Sequence, residues 1–132
     1  MKKFCCTIML LFSTNAFCQK TPIVSMDFIK VKNGHYEEAL FFFENNWKLY
    51  RDSAMKSGAI KSYKLLRNNT DSSKADIILM TEYFDKDSYL KREEIFRPIM
   101  KSIHPNGGVS KNNLKRDDIL TIDSNILTEV LW

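Results

Sequence analysis

Two histidines, His35 and His104, are the chain's only side chains that titrate near neutrality unaided. Neither has an i, i+4 partner or a nearby cysteine, so zinc-ligand spacing is missing and no metal or cofactor is expected. His104 precedes Pro105-Asn106-Gly107-Gly108, a breaker cluster that reads as a loop. Functional groups collect on loops, so an acid–base or ligand role is open to His104 beside a plain cap role. His35 stands at a helix start and reads as solvated. Asp27 sits in a strand amid apolar neighbours, where burial would raise its pKa, unless the rim of the sheet leaves it exposed. With Tyr63, these give three weak candidates for acid–base catalysis: Asp27, His104 and Tyr63.

The aromatic residues offer a second kind of chemistry. Phe43, Trp47 and Tyr50 share one helical face, while Tyr63 and Tyr83 lie on strands. They read either as core and rim or as the walls of a pocket for a flat apolar ligand. The run Phe41-Phe42-Phe43 exceeds the width of an ordinary amphipathic stripe and adds weight to the pocket, unless those rings fill it. Other constellations are missing from the sequence. Gly107-Gly108 falls short of a phosphate-binding fingerprint, and no serine has a nucleophile-elbow context. Glu37-Glu38, Glu93-Glu94 and Asp117-Asp118 are neighbours that point apart, as solvated faces and caps do.

The elements that must position these groups begin after a leader. Lys2 and Lys3, the apolar run Phe4 to Phe12, and small residues at Ala16 and Cys18 have the form of an export signal over residues 1–19. A membrane anchor would need roughly 20 apolar residues, about twice that run. A lipid-modified Cys18 would normally follow a small residue, whereas Phe17 precedes it. The expected product is an exported, periplasmic or extracellular domain over 20–132 that carries no cysteine, since Cys5, Cys6 and Cys18 all leave with the signal. Its formal charge drops from +4 as Lys2 and Lys3 go, and its basic residues are interleaved with acids. Nucleic acid is therefore not an expected partner.

Periodicity divides this domain into six elements. Ile23 to Val31 alternates as a strand, and Lys32-Asn33-Gly34 turns the chain. His35 to Lys56 repeats apolar residues at helical spacing, and Gly58 ends it. Strands are expected at Ala59 to Arg67 and Asp76 to Phe84, joined by a polar hairpin loop. A second helix starts near Asp87 with Asp85 or Asp87 as cap, and Pro98 should restart it as a separate turn. The last element, Ile119 to Trp132, reads as two strand segments bent at Asp123-Ser124-Asn125.

The order β-α-β-β-α-β predicts a ferredoxin-like α+β fold, a four-stranded antiparallel sheet with both helices on one face. Ile77-Ile78-Leu79-Met80 is apolar on both faces, which a strand covered on one side would not need. A second copy closing over the bare face, as a dimeric α/β barrel, would account for it.

Two passages carry a family resemblance. Phe28-Ile29-Lys30-Val31-Lys32-Asn33-Gly34-His35-Tyr36-Glu37-Glu38-Ala39-Leu40 and Glu82-Tyr83-Phe84-Asp85-Lys86-Asp87-Ser88-Tyr89-Leu90 resemble the dimeric α/β-barrel proteins typified by antibiotic-biosynthesis-monooxygenase-like (ABM-like) domains. The resemblance implies a homodimer and, for some members, cofactor-independent oxygenase chemistry on aromatic substrates. Where several of those enzymes use a histidine in the second helix, this chain has Lys91-Arg92-Glu93. The reading favoured is thus an exported small-molecule-binding module for an apolar or aromatic ligand. A monooxygenase-like enzyme and a purely structural dimerisation domain are the alternatives.

Overall fold

A computed structural model describes residues 20–70 and 73–132. The expected leader over residues 1–19 lies outside the described residues, as do Asp71 and Ser72 of the hairpin loop. The elements run β1 (Ile23–Val31), α1 (Tyr36–Phe42), a π-helical stretch (Phe43–Trp47), α2 (Lys48–Lys56), β2 (Ser62–Arg67), β3 (Ile77–Tyr83), α3 (Lys86–Leu90), α4 (Arg92–Ile103), α5 (Arg116–Ile119) and β4 (Leu120–Glu129). The sheet order is β2-β3-β1-β4 and every neighbouring pair is antiparallel. This is the ferredoxin-like arrangement, with the first and third strands at the centre.

The two central strands set the two faces of the sheet. Along β3, Ile77, Leu79, Thr81 and Tyr83 are buried beneath the helices, while Ile78, Met80 and Glu82 are half-buried on the opposite face. On that second face Met26 pairs with both Met80 and Ile126, and Phe28 pairs with Ile78. Val24 extends the same apolar stripe, and Leu66 and Ile126 remain exposed at its sides. The doubly apolar third strand thus belongs to a continuous apolar surface that no helix among the described residues covers.

Local signals place the helices. Asn33 and Gly34 both take positive φ in the turn after β1. Gly58, at φ 70°, closes α2: its own N–H reaches the carbonyl of Met55 at 3.0 Å, and that of Ala59 reaches Ala54 at 2.8 Å. That pair of bonds is the Schellman arrangement, which suits glycine because a side chain would strain the left-handed backbone. Asp85 caps α3, accepting from the amide and hydroxyl of Ser88 at 2.7 Å each.

Three expectations require correction. The first helix is not uniformly α-helical but passes through the π-helical stretch Phe43–Trp47, within which two Asn side chains donate to backbone carbonyls four residues back, Asn45 to Phe41 and Asn46 to Phe42. The break in the second helix falls at Lys91, not at Pro98. Pro98 lies inside α4 on its exposed side, with Glu94, the residue whose i→i−4 partner a proline removes, exposed as well. The last element is one strand, β4, and not two segments. The expected bend is a bulge, because Phe28 pairs with Ser124 while Ile29 pairs with Ile122, leaving Asp123 as the extra residue.

Candidate functional site

A cavity of about 600 Å³ lies between the sheet and the first helix. Asp27, Ile29, Leu79, Leu120 and Ile122 form its floor, all on the helix side of the sheet. The bulge in β4 brings Ile122 into register beside Ile29, so this part of the floor is apolar. Phe42, Phe43, Asn46, Trp47, Tyr50 and Arg51 form the opposite wall. The π-helical stretch supplies Phe43, Asn46 and Trp47 of that wall. Phe43 is wall and not filling: the run Phe41-Phe42-Phe43 leaves the space open.

The roof is the loop that follows α4, and one side chain ties it down. Asn46, 2 % exposed, donates to the carbonyl of Val109 at 2.7 Å and accepts from its N–H at 2.8 Å. A side chain at Gly108 would put its Cβ 2.5 Å from Asn46 Oδ1, so the loop approaches this closely only as glycine. Leu114 packs inward from the same loop.

The candidates from the sequence divide. Phe43, Trp47 and Tyr50 line the cavity, and Asp27 joins them on the floor. Asp27 is half-buried, neither enclosed nor fully at the rim, and its Oδ1 accepts from Asn125 Nδ2 at 2.6 Å. His104 stands behind the wall, its Nδ1 2.9 Å from Tyr50 Oη and its ring edge-on to the tyrosine at 5.7 Å between centroids. Burial pushes the Tyr50 pKa up, so the phenol keeps its proton at neutral pH. His35 caps no residue with its side chain and lies 3.7 Å from Glu38.

Tyr63 and Tyr83 lie outside the cavity lining. Tyr63 packs edge-on against the back of Trp47, with ring centroids 5.3 Å apart, and its hydroxyl donates to Asp52. Burial and then that carboxylate raise the Tyr63 pKa, while Lys48 first and Tyr63 second hold Asp52 low. A phenol so engaged is a poor acid–base candidate. Tyr83 is buried in the core against Tyr89, and burial raises its pKa too.

Arg51 and Asn46 escaped the sequence reading. Arg51 follows Trp47 by four residues and so stands on the same apolar stripe, a cation where a hydrophobic residue is expected. Its guanidinium lies over Trp47 at 4.7 Å and over Phe96 at 4.3 Å. Burial pushes its pKa down to about 10, so it remains charged at pH 7. The adjacent pair Asn45-Asn46 in mid-helix was the readable sign of the second, because asparagine there competes for backbone bonds.

Among the described residues no three His, Cys, Asp or Glu side chains gather as a metal site, and no helix is long and apolar enough to cross a membrane. No protein-family model and no curated protein matches the chain. A solved structure, described as a dimeric ferredoxin-like protein of unknown function from Thermobifida fusca, aligns with it at a TM-score of 0.43 and 10% identity, covering 88% of this chain and 95% of that one.

Proposed function

We propose that the protein is an exported homodimeric module that holds a flat apolar or aromatic compound between its sheet and its helices, without covalent chemistry. The observation that carries this reading is the cavity: at about 600 Å³ it falls within the range of small-molecule sites, and its walls are mainly Phe42, Phe43, Trp47, Ile29 and Leu79. Export rests on the leader over residues 1–19, and the periplasm or the extracellular space is the proposed location. Self-association rests on the uncovered stripe of Val24, Met26, Phe28, Ile78 and Met80, a face that a second copy would cover symmetrically.

The test is a thermal-shift panel of flat aromatics against the native protein and Ile122→Trp. Ile122 borders the cavity but is half exposed, so tryptophan fits the strand and blocks the space without disturbing the core. A ligand at a hundredfold excess over Kd should stabilise the native protein by about 2.7 kcal/mol. The same compound should leave Ile122→Trp unshifted. Shifts of equal size in both proteins would contradict the proposal. Subunit count by native mass spectrometry tests the dimer, with Phe28→Asp expected to give monomers.

One observation favours an enzyme as second reading, the Tyr50–His104 hydrogen bond at the cavity wall. It would let the imidazole act through the phenol on a bound aromatic compound. Oxygen uptake with polyphenols, lost in His104→Ala and Asp27→Asn, would support that alternative; absence of turnover beside measurable binding would leave the module.

A further inference from the structure

We infer that the cavity's ligand is an anion, a flat apolar body ending in a carboxylate or a comparable singly charged oxyanion, and that Arg51 is its partner. This rests on the binding reading above and names the chemistry of what is bound. Two polar groups of the wall are already engaged, and a third is only partly so. Asn46 gives both amide hydrogens to the carbonyls of Phe42 and Val109, and its oxygen accepts from the amide of Val109. Tyr50 shares its hydroxyl with His104. Arg51 has five donors in a rigid fork, and among the described residues its side chain makes one long hydrogen bond, from Nε to Thr81 Oγ1 at 3.4 Å.

The aromatic rings hold the guanidinium without satisfying its N–H groups. Trp47 and Phe96 contact the cation through their faces, which favours the charge but accepts no in-plane hydrogen bond. No described carboxylate lies within ion-pairing distance. Asp27 acts on Arg51 only at longer range, and its Oδ1 is occupied by Asn125. No side-chain nitrogen or oxygen among the described residues is both fully buried and unpartnered, so the terminal nitrogens of Arg51 remain reachable, and Arg51 is part of the cavity wall. The lining as a whole carries three cations, Arg51, Lys115 and Arg116, against the single carboxylate of Asp27. Arg116 is engaged at 2.9 Å by Asp117 and Lys115 is exposed and lacks the planar fork, which leaves Arg51 as the deep cation available for a fork-to-carboxylate pair.

The experiment is calorimetric titration with two matched probes, 2-naphthoate and the neutral 2-naphthalenemethanol, on the native protein, Arg51→Gln and Arg51→Lys. The naphthoate should bind the native protein at least about tenfold more tightly than the alcohol, as a charge-assisted pair demands. Arg51→Gln should bring the two affinities together, with an unchanged far-ultraviolet circular dichroism spectrum showing that the variant is folded. Arg51→Lys should keep part of the preference. Equal affinities in the native protein would overturn the anion assignment and leave the pocket standing. Failure of both probes to bind would overturn the pocket, and the assignment with it. The native ratio decides the anion assignment even if one variant does not fold, and the loss of that ratio in Arg51→Gln decides whether Arg51 is the partner.

Discussion

Beneath α4 the space over the sheet is closed: Tyr50, Ala54, Ile60, Tyr83 and Phe96 meet in a buried cluster, with Tyr89 edge-on to Tyr83. Toward β4 the same sheet and the same first helix enclose a cavity, although Ile29, Phe43, Trp47, Leu79 and Leu120 are no smaller or more polar. The difference lies in what covers each half. A helix supplies a stripe of side chains that interdigitate with the sheet, whereas a loop pinned through Asn46 and Gly108 spans the gap without filling it. The open space over this half of the sheet therefore follows from the kind of roof, and not from a special set of residues on the floor. Arg51 stands where the two halves meet, between Trp47 of the open cluster and Phe96 of the closed one.

The largest expected effect breaks the closed half. Phe96→Ala should cost about 3–5 kcal/mol in denaturant unfolding, as for a large buried aromatic, while Phe43→Ala should cost less than half as much. Phe43 already borders open space, so its removal forfeits fewer contacts. Equal losses would mean that the cavity is filled in solution.

The roof comes next. Asn46→Ala leaves the N–H and carbonyl of Val109 without their partner and should lower stability by about 1–3 kcal/mol, with faster amide exchange at Val109 than at Leu79 in the central strand β3. Gly108→Ala should produce the same loop opening at smaller cost, because the close approach to Asn46 must be given up.

At the boundary, Arg51→Met should change stability by no more than about 1 kcal/mol in either direction. The relief of a desolvated charge offsets the lost contacts to two rings, so the residue would be kept for binding and not for folding. A loss as large as that of Phe96→Ala would contradict this.

Outside both halves, Asp85 provides the reference. Its bonds to Lys20 and Ser88 hold its carboxyl well below the usual carboxylate range in the folded protein. A depressed folded pKa adds stability above the unfolded value, near pH 4, and that stability fades as pH falls further. Asp85→Asn should therefore lower Tm at pH 7 and converge with the native protein in acid, leaving ligand affinity untouched.

The fold was legible because its signals are local and redundant. Alternation in Ile23 to Val31, the Gly58 terminator and the doubly apolar third strand each pointed to the same topology, so misplacing the break at Pro98 did no harm. Part of the site was legible as well, since Phe43, Trp47 and Tyr50 repeat at helical spacing and do line the cavity. The rest depends on contacts remote in sequence. Nothing local tells that Asn46 will hold Val109, or that Tyr83 will be sealed beneath α3 and α4 while Tyr63 turns to Asp52. Arg51 was the exception, a cation on an apolar stripe whose meaning could have been drawn from its spacing alone.

The contrast between the halves is tested most directly by methyl NMR of isoleucine-labelled protein titrated with 2-naphthalenemethanol. Ile29 and Ile122 border the cavity, Ile60 and Ile99 belong to the closed half, and Ile78 and Ile126 lie on the uncovered sheet face. Ring-current shifts that saturate at Ile29 and Ile122, with Ile60, Ile99, Ile78 and Ile126 unmoved, are the predicted result. Shifts confined to Ile78 and Ile126, or none at all, would contradict a ligand site between sheet and helices.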